Sequence, residues 1–361
     1  MKKLLFGFLT LILSSTISLV AAVELKPNYP ETYIVKKGDT LWDISSMYLT
    51  DPWLWPEIWH VNPQVPNPHL IYPGDILTLV YRDGQPVVLR GRPVPTSSSD
   101  RLERLEPRAR LISEGGAIPT IPLDEIKPFL VGAQVVSEEE LDTAPYVLSS
   151  DGRRLIMGVG DRIYVRGIAT DKSEYSFFRK GQDYRDPESG ELLGTEAIHL
   201  GNGKVVRRGD PSTITLEEQR QEIIVGDRLI PTNDMHLRSN FMPKPAPNGL
   251  NSKIIAVYDG VTQIGQYHTV VLNKGERDGM QVGHVQRVWQ TGETIEDKIG
   301  ERESSGFFDF NLGGEEVKLP DEPAGTMMVF RTFEKVSLAI IMEATKPMHV
   351  FDTGRAPNEV P

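Results

Sequence analysis

The chain has 361 residues, a formal net charge of −11, 39% hydrophobic residues and no cysteine. This length is enough for two or three domains, and the apolar fraction is ordinary for a globular protein that buries its own core. The negative charge opposes sequence-independent binding to nucleic acid, and the lack of cysteine excludes disulfides, thiolate nucleophiles and thiolate zinc sites.

The N-terminal segment has the pattern of a secretory signal peptide. Two lysines precede an apolar run, and the run ends at the small residues Ala21 and Ala22. This order predicts a signal peptide over residues 1–22 with cleavage before Val23. The expected location is the periplasm, with no membrane span once the signal is removed. The apolar run is also about long enough to remain as an uncleaved anchor in the inner membrane, which is the alternative.

Residues 31–81 read as a small self-contained module with four of the five tryptophans of the chain. β-branched and aromatic residues at 32–36 and 76–81 predict a strand at each end. Between them, Thr40 and Asp43 predict a capping box at the start of one helix, and a proline-rich turn begins a second helix. The predicted order is strand, helix, helix, strand.

Two stretches of this module, YIVKKGDTLWDIS and NPHLIYPGDILTL, resemble the two halves of a LysM domain, the small peptidoglycan-binding module. The resemblance implies a βααβ fold with a groove for N-acetylglucosamine between two loops. The glycan-binding residues that it implies are Gly38, Asp39, Thr40 and Leu41 in the first loop and Asn67, Pro68, His69, Leu70 and Ile71 in the second. The tryptophans are expected mainly in the core, with Trp53 or Trp55 as an alternative contact to the sugar.

The rest of the chain divides at two linkers. Serine, proline and charged residues predict a first linker at 82–129, and a cluster of prolines predicts a second at 233–249. The regions that follow them, 130–232 and 250–358, are predicted to be mainly β, with turns at Gly-Asp, Lys-Gly and Asp-Gly pairs.

These two β regions share motifs that indicate an internal duplication. The aligned motifs are Met157-x-Val159-Gly160 with Met280-x-Val282-Gly283, Gly194-Thr195 with Gly325-Thr326, and Asp227 with Asp352. The predicted fold class is therefore α+β: a small βααβ LysM module followed by a mainly β region with an internal duplication. The whole arrangement resembles an uncharacterised family of proteobacterial LysM-containing envelope proteins, which implies no particular activity.

The motifs of the chain predict no catalytic residues, no metal site and no cofactor. No two histidines lie two to four residues apart, no serine lies in a G-x-S-x-G or S-x-x-K motif, and no phosphate-binding glycine loop is complete. A glycan hydrolase needs only two carboxylates, so the 50 acidic residues leave that alternative open. However, Glu138, Glu139 and Glu140 are expected to start a helix, and Asp186 and Glu188 to lie in a turn.

Together these features predict a non-enzymatic periplasmic protein that docks on peptidoglycan and presents its duplicated β region to an envelope protein partner. Two alternatives stay open. One is a cell-wall hydrolase targeted by the LysM domain, which would release soluble muropeptides from purified sacculi. The other is a structural part of an envelope export or appendage assembly, which would form ring-like oligomers.

We predict that the leader is removed during export, because small residues precede the expected cleavage point. Mass spectrometry of the protein from the cell envelope should find Val23 as its first residue. The variant Ala22→Arg should retain Met1, because a long charged side chain does not fit a signal peptidase site that selects small residues. Met1 on the mature wild-type protein would show that the segment is an anchor instead.

Overall fold

The computed structural model describes nine parts of the chain: residues 23–59, 71–91, 117–121, 133–152, 154–169, 171–232, 241–258, 263–297 and 315–359. The predicted signal peptide, residues 1–22, lies outside the described residues. Within these nine parts, none of the helices is both long and apolar enough to cross a membrane.

The N-terminal module contains an antiparallel sheet and two short helices. Its elements are β1 (Thr32–Ile34), α1 (Leu41–Tyr48), a 3-10 turn (Pro52–Leu54), α2 (Trp55–Ile58), β2 (Ile76–Arg82) and β3 (Gln85–Arg90). β2 lies between β1 and β3. β1, α1, α2 and β2 follow the predicted order, but β3 lies in the segment predicted to be a linker. Asp83 and Gly84 both have positive φ (53° and 81°), as a two-residue hairpin turn requires, and so turn β2 directly into β3.

The core of this module forms beneath α1. Leu41, Ile44 and Tyr48 repeat at helical spacing, lie on one face of α1 and are at most 1% exposed. They pack with Trp55 of α2 and Leu77 of β2 in one apolar cluster. The spacing of Leu41, Ile44, Met47 and Tyr48 in the sequence predicts one buried helical stripe, and the structure buries these residues except Met47, which is partly exposed.

The first β region forms a closed sheet. Its elements are β4 (Ala133–Val136), α3 (Glu138–Thr143), β5 (Tyr146–Ser150), β6 (Arg162–Arg166), β7 (Glu174–Arg185), β8 (Leu192–Arg207), β9 (Ser212–Gln219) and β10 (Arg228–Pro231). The strands lie in the order β4-β8-β7-β10-β5-β6-β9, and β9 also pairs with β8. The six strands β5 to β10 therefore close on themselves; we call them the first closed sheet. α3 starts at the three glutamates as predicted, with Ser137 as its N-cap.

The second β region forms another closed sheet. Its elements are β11 (Lys244–Pro245), β12 (Ser252–Val257), β13 (Thr269–Leu272), a 3-10 turn (Glu276–Asp278), β14 (His284–Gln290), β15 (Thr294–Asp297), β16 (Glu315–Lys318), β17 (Glu322–Thr332), β18 (Ser337–Ala344) and β19 (Thr353–Arg355). The strand order is β11-β14-β17-β18-β13-β12-β19, and β19 also pairs with β14, which gives the second closed sheet. β15 and β16 pair separately.

The two closed sheets share one strand order. Taken along the chain, β5 to β10 correspond to β12, β13, β14, β17, β18 and β19, and each pair of neighbouring strands in the first sheet has its counterpart in the second. This agreement supports the internal duplication, which stays a prediction. The chain is mainly β, so the predicted α+β class describes it only loosely.

The first motif alignment is wrong. Val159-Gly160 precedes β6, whereas Val282-Gly283 precedes β14, which corresponds to the strand after β6. The structural counterpart of Met157 is Ile264, because each forms an isolated bridge to the stretch before the last strand of its sheet. The shared Met-x-Val-Gly pattern therefore marks two different connections.

The second alignment is also wrong, and the third is consistent with the structure. The counterpart of Gly325 is Gly201 rather than Gly194, because a Cβ at either Gly201 or Gly325 would collide with a backbone carbonyl of the next strand. Asp227 and Asp352 do correspond: the carboxylate of each accepts the N–H of the residue three positions earlier, at 2.8 Å in both sheets.

The second closed sheet is apolar on its outer as well as its inner surface. Successive strand residues point to opposite faces, so continuous apolar runs in β17 and β18 require cover on both sides. The outward-facing residues, all at most 2% exposed, are Met328, Phe330, Leu338, Ile340 and Met342. Their neighbours along the strands form the separate cluster inside the sheet.

Three other parts of the chain cover this outer face. Trp42 and Trp53 come from the N-terminal module, Tyr184 and Leu193 from the first closed sheet, and one isoleucine from the segment 117–121. The two indole rings lie against each other, with centroids 6.5 Å apart. One continuous apolar cluster therefore joins the N-terminal module, the segment and both closed sheets.

An arginine of the second closed sheet reinforces the contact with the N-terminal module. The Arg287 guanidinium lies 6.0 Å from the centroid of the Trp53 ring, and its Nη2 is 3.3 Å from Oδ1 of Asp51. Burial raises the pKa of Asp51, and the nearby arginine opposes that rise. The pair therefore compensates a carboxylate that the interface partly desolvates.

A glutamate of the first closed sheet is bound by two cations of the second. Arg277 donates from Nη1 and Nη2 to Glu191 at 2.8 and 2.9 Å, and Lys335 donates from Nζ at 2.8 Å. The hydrogen bonds from Arg277, and then those from Lys335, lower the pKa of Glu191 to about 2. The contact therefore favours the ionised carboxylate and links the two sheets.

We predict that Glu191→Gln removes a pH-dependent part of the folding stability. A carboxylate with a folded-state pKa of about 2 stabilises the folded chain above its unfolded pKa of about 4.3, and this contribution is lost as the pH falls toward 2. Chemical unfolding should find the variant less stable than wild type at neutral pH. The difference should disappear as the pH falls through this window.

The matched control is Glu217→Gln, which neutralises an exposed carboxylate on β9. It should leave the pH profile of the unfolding free energy close to that of wild type. A stability difference between Glu191→Gln and wild type that stays constant across the acidic range would contradict the ion-pair account.

Candidate functional site

The first predicted loop is a tight turn between β1 and α1. Gly38 has φ +96°, where an L side chain would be strained, so the turn requires glycine. Oδ2 of Asp39 accepts the Lys36 N–H at 2.7 Å and the Tyr33 hydroxyl at 2.9 Å. Burial, and then the hydrogen bond to Asp39, raise the pKa of Tyr33 to about 12, so its hydroxyl stays a neutral donor. Asp39 thus stabilises the conformation of the loop through hydrogen bonds within it.

Thr40 and Leu41 are buried by their structural roles. Oγ1 of Thr40 accepts the Asp43 N–H at 3.0 Å, as the predicted helix cap requires, and donates to Oδ2 of Asp43 at 2.7 Å. In a full capping box the Asp43 carboxylate would accept the Thr40 N–H. Here it accepts the Thr40 hydroxyl instead. Thr40 is 3% exposed and Leu41 is 1% exposed, so these side chains have little surface to offer a ligand.

The backbone N–H groups at the start of α1 provide the donors of this loop. The first N–H groups of a helix have no acceptor within the helix. Here the Leu41 N–H donates to the Pro119 carbonyl at 2.9 Å, and the Trp42 N–H donates to the Thr120 carbonyl at 3.0 Å. The chemistry of the loop is therefore that of oriented backbone amides.

Of the second predicted loop, the structure describes Ile71. Its side chain is 2% exposed in the core of the module, and its carbonyl accepts the Ile118 N–H at 2.8 Å. The other predicted residues of this loop, Asn67, Pro68, His69 and Leu70, lie outside the described residues. The segment 117–121 thus connects Ile71 to the start of α1 through hydrogen bonds to both.

Sequence reasoning missed this segment, because it lies within the predicted linker. Ile118 is 6%, Thr120 2% and Ile121 0% exposed. Ile118 packs in the core of the N-terminal module, and Ile121 packs against the second closed sheet. The available signal was the pair of isoleucines in the stretch IPTI, since apolar β-branched residues are unusual in a solvated linker.

The two candidate sugar-contacting tryptophans are both buried in the protein. Trp53 is 3% and Trp55 0% exposed. Trp53 packs against the second closed sheet, and Trp55 packs within the N-terminal module. The expectation that the tryptophans are mainly core agrees with the structure, whereas a sugar contact by either of these two does not.

A polar cleft of about 390 Å³ lies between the two closed sheets. Asp186 accepts from the Ser189 N–H and from Nδ2 of Asn273, both at 2.8 Å, and Glu188 accepts from Nζ of Lys253 at 2.6 Å. The Ser189 N–H contributes most to lowering the pKa of Asp186 to about 2. A general acid needs a pKa near the working pH, so this turn carboxylate suits interface binding better than proton transfer.

The described parts of the chain contain no group of three or more histidine, aspartate or glutamate side chains placed to hold a metal ion. At the predicted groove, the groups that bind the segment 117–121 are the backbone N–H groups of Leu41 and Trp42 and the carbonyl of Ile71. Such backbone donors and acceptors can recognise an uncharged ligand that carries an amide group.

Comparison with known proteins identifies the N-terminal module. Residues 33–80 match the family model of the LysM domain. A Bacillus subtilis protein, "Uncharacterized protein YqbP", is 40% identical over 60 residues, which make up 14% of this chain and 27% of that protein. The resemblance of the whole chain to a proteobacterial envelope family stays a prediction, and both closed sheets lie outside residues 33–80. The chain is a LysM domain protein, in which residues 33–80 form the LysM domain.

Proposed function

We propose that this chain is a periplasmic protein that binds peptidoglycan glycan through its LysM domain, presents its two closed sheets to an envelope protein partner and catalyses no reaction. The LysM domain supports the first part, because this family binds peptidoglycan and related carbohydrate. The structural observation that carries the proposal is the set of backbone groups at the groove. The N–H groups of Leu41 and Trp42 and the carbonyl of Ile71 all bind amide groups of a single segment.

N-acetylglucosamine matches these backbone groups chemically. Its acetamido group has a carbonyl acceptor, an N–H donor and an apolar methyl group. Leu41 and Trp42 offer donors for the carbonyl, and Ile71 offers an acceptor for the N–H. The turn made by Gly38 and Asp39 holds the donors in a defined direction. Rigid, oriented polar groups beside apolar side chains are what a neutral sugar site requires.

Binding by a single groove is expected to be weak. A neutral hydrogen bond contributes about 0.5–1.5 kcal/mol net, so a shallow groove with a few of them gives modest affinity. Peptidoglycan presents many equivalent sugars, and several copies of the chain held together would raise avidity without new contacts. Retention on the wall therefore depends on the polymer as well as on the groove.

An exposed aliphatic patch on the first closed sheet supports the proposal of a protein partner. The patch consists of Leu155, Ile156, Val159, Ile224 and Val225, which are between 40% and 84% exposed. A bridge between Met157 and Ile223 brings its two stretches side by side. Clustered exposed apolar side chains mark interaction surfaces. The partner we propose is an envelope protein with a complementary aliphatic surface.

We predict that the full chain pellets with purified sacculi in a saturable manner. Leu70→Asp should lower the bound fraction by about tenfold, because it places a charge in the predicted second loop beside the acetyl group. Leu155→Asp is the matched control, since it introduces the same charge at a position that is 84% exposed. Circular dichroism and thermal unfolding should match wild type for both variants.

Failure of the wild-type chain to pellet would contradict glycan binding. Pelleting of Leu70→Asp at the wild-type level would remove the second loop from the site. Release of soluble muropeptides from the sacculi would instead favour the hydrolase alternative.

We predict that a photoreactive amino acid at Leu155 forms a defined crosslinked adduct with one envelope protein in intact cells. Val225→Asp in the same chain should abolish the adduct, because it charges the aliphatic patch. Val206→Asp is the control, because Val206 is a 57% exposed residue of β8 outside the patch. An adduct that survives Val225→Asp unchanged would exclude the patch as the partner surface.

A further inference from the structure

The segment 117–121 occupies the groove that the proposed function assigns to glycan. Its backbone accepts hydrogen bonds from the N–H groups of Leu41 and Trp42 and donates one to the carbonyl of Ile71. We propose that the segment is an internal ligand of the LysM domain, so that glycan binds with full affinity only after the segment leaves. This inference rests on the proposed function.

The segment and the sugar would compete for the same atoms. A peptide unit and an acetamido group both carry an amide N–H and a carbonyl. The Leu41 and Trp42 N–H groups have acceptors at 2.9 and 3.0 Å in the segment, and each would have to exchange that acceptor for one of the sugar. The side chain of Ile118 also lies in the LysM core, at 6% exposure. The two ligands therefore exclude each other.

Without glycan, we expect the segment to be bound in the groove in most molecules. Each of the backbone hydrogen bonds changes an equilibrium constant by roughly two- to tenfold. A tethered ligand also acts at an effective concentration on the order of millimolar. Apparent affinity falls in proportion to the open fraction, so we expect the segment to weaken glycan binding by about tenfold or more.

Release of the segment is coupled to the packing of the LysM domain on the second closed sheet. Ile121 is 0% exposed and belongs to the same apolar cluster as Trp42 and Trp53 of the LysM domain. Val285 and Met328 of the second closed sheet complete this contact. Departure of the segment removes Ile121 from the interface, so glycan binding and LysM docking oppose each other.

The test compares full chains in which the segment is bound in the groove with full chains in which it is displaced. Ile118→Asp/Ile121→Asp puts two charges at buried positions and should displace the segment. The matched control, Val206→Asp/Ile295→Asp, adds the same charge at positions that are 57% and 45% exposed. The probe is a soluble tetramer of N-acetylglucosamine, titrated by calorimetry, with circular dichroism and thermal unfolding as checks on folding.

We expect Ile118→Asp/Ile121→Asp to bind the tetramer at least about tenfold more tightly than wild type and the control do. Equal affinity of all three chains would overturn the internal ligand and leave the proposed function standing. Absence of binding by all three, to the tetramer and to sacculi, would overturn the proposed function and this inference with it.

Amide hydrogen exchange of the wild-type chain tests the same point without a substitution. Saturation with the tetramer should increase exchange at Ile118, Thr120 and Ile121, while Leu41 and Trp42 stay protected by the bound sugar. Unchanged protection of the segment in the saturated chain would show that it is a permanent part of the fold and would overturn the proposal.

Discussion

The outer apolar face of the second closed sheet is the surface on which the described parts of the chain assemble. β17 and β18 carry apolar residues on both faces, and the outward set cannot remain in water at an acceptable free energy. Trp42 and Trp53 of the LysM domain and Tyr184 and Leu193 of the first closed sheet supply the cover. The first closed sheet has the same strand order but leaves its aliphatic patch exposed, so equal topology does not imply equal surfaces.

The LysM groove shows how a binding surface can consist of backbone groups. Asp39 closes its own turn, Thr40 caps α1, and Leu41 lies in the core, so each of these side chains already has a structural role. The groups that bind the segment 117–121 are instead backbone groups: the N–H groups of Leu41 and Trp42 and the carbonyl of Ile71. Such a groove accepts any ligand that presents amide groups at the right positions. A peptide segment of the same chain can therefore occupy a site that suits an acetylated sugar.

Local features of the fold could be predicted because their hydrogen bonds join residues close in sequence. Gly38 permits the turn, Thr40 bonds to Asp43 three residues later, and α3 begins at the glutamates 138–140 as predicted. The hydrophobic spacing of α1 predicted its buried face, since a helix returns to the same side every three to four residues. β-branched runs and turn pairs predicted the mainly β character of both later regions, because those signals are also local.

The sequence by itself therefore determined the LysM domain with its local elements and the mainly β character of the later regions, whereas only the tertiary structure decided what packs against them. Periodicity shows that a face is buried, but it does not identify the partner, which lies far away along the chain. Trp53 accordingly packs on the second closed sheet rather than on a sugar. Ile118, from a segment predicted to be a linker, packs in the core of the LysM domain. Which residues of the two closed sheets are equivalent also depends on strand pairing. Gly201 corresponds to Gly325 because each lies against a backbone carbonyl of the neighbouring strand, and no sequence motif indicates this contact.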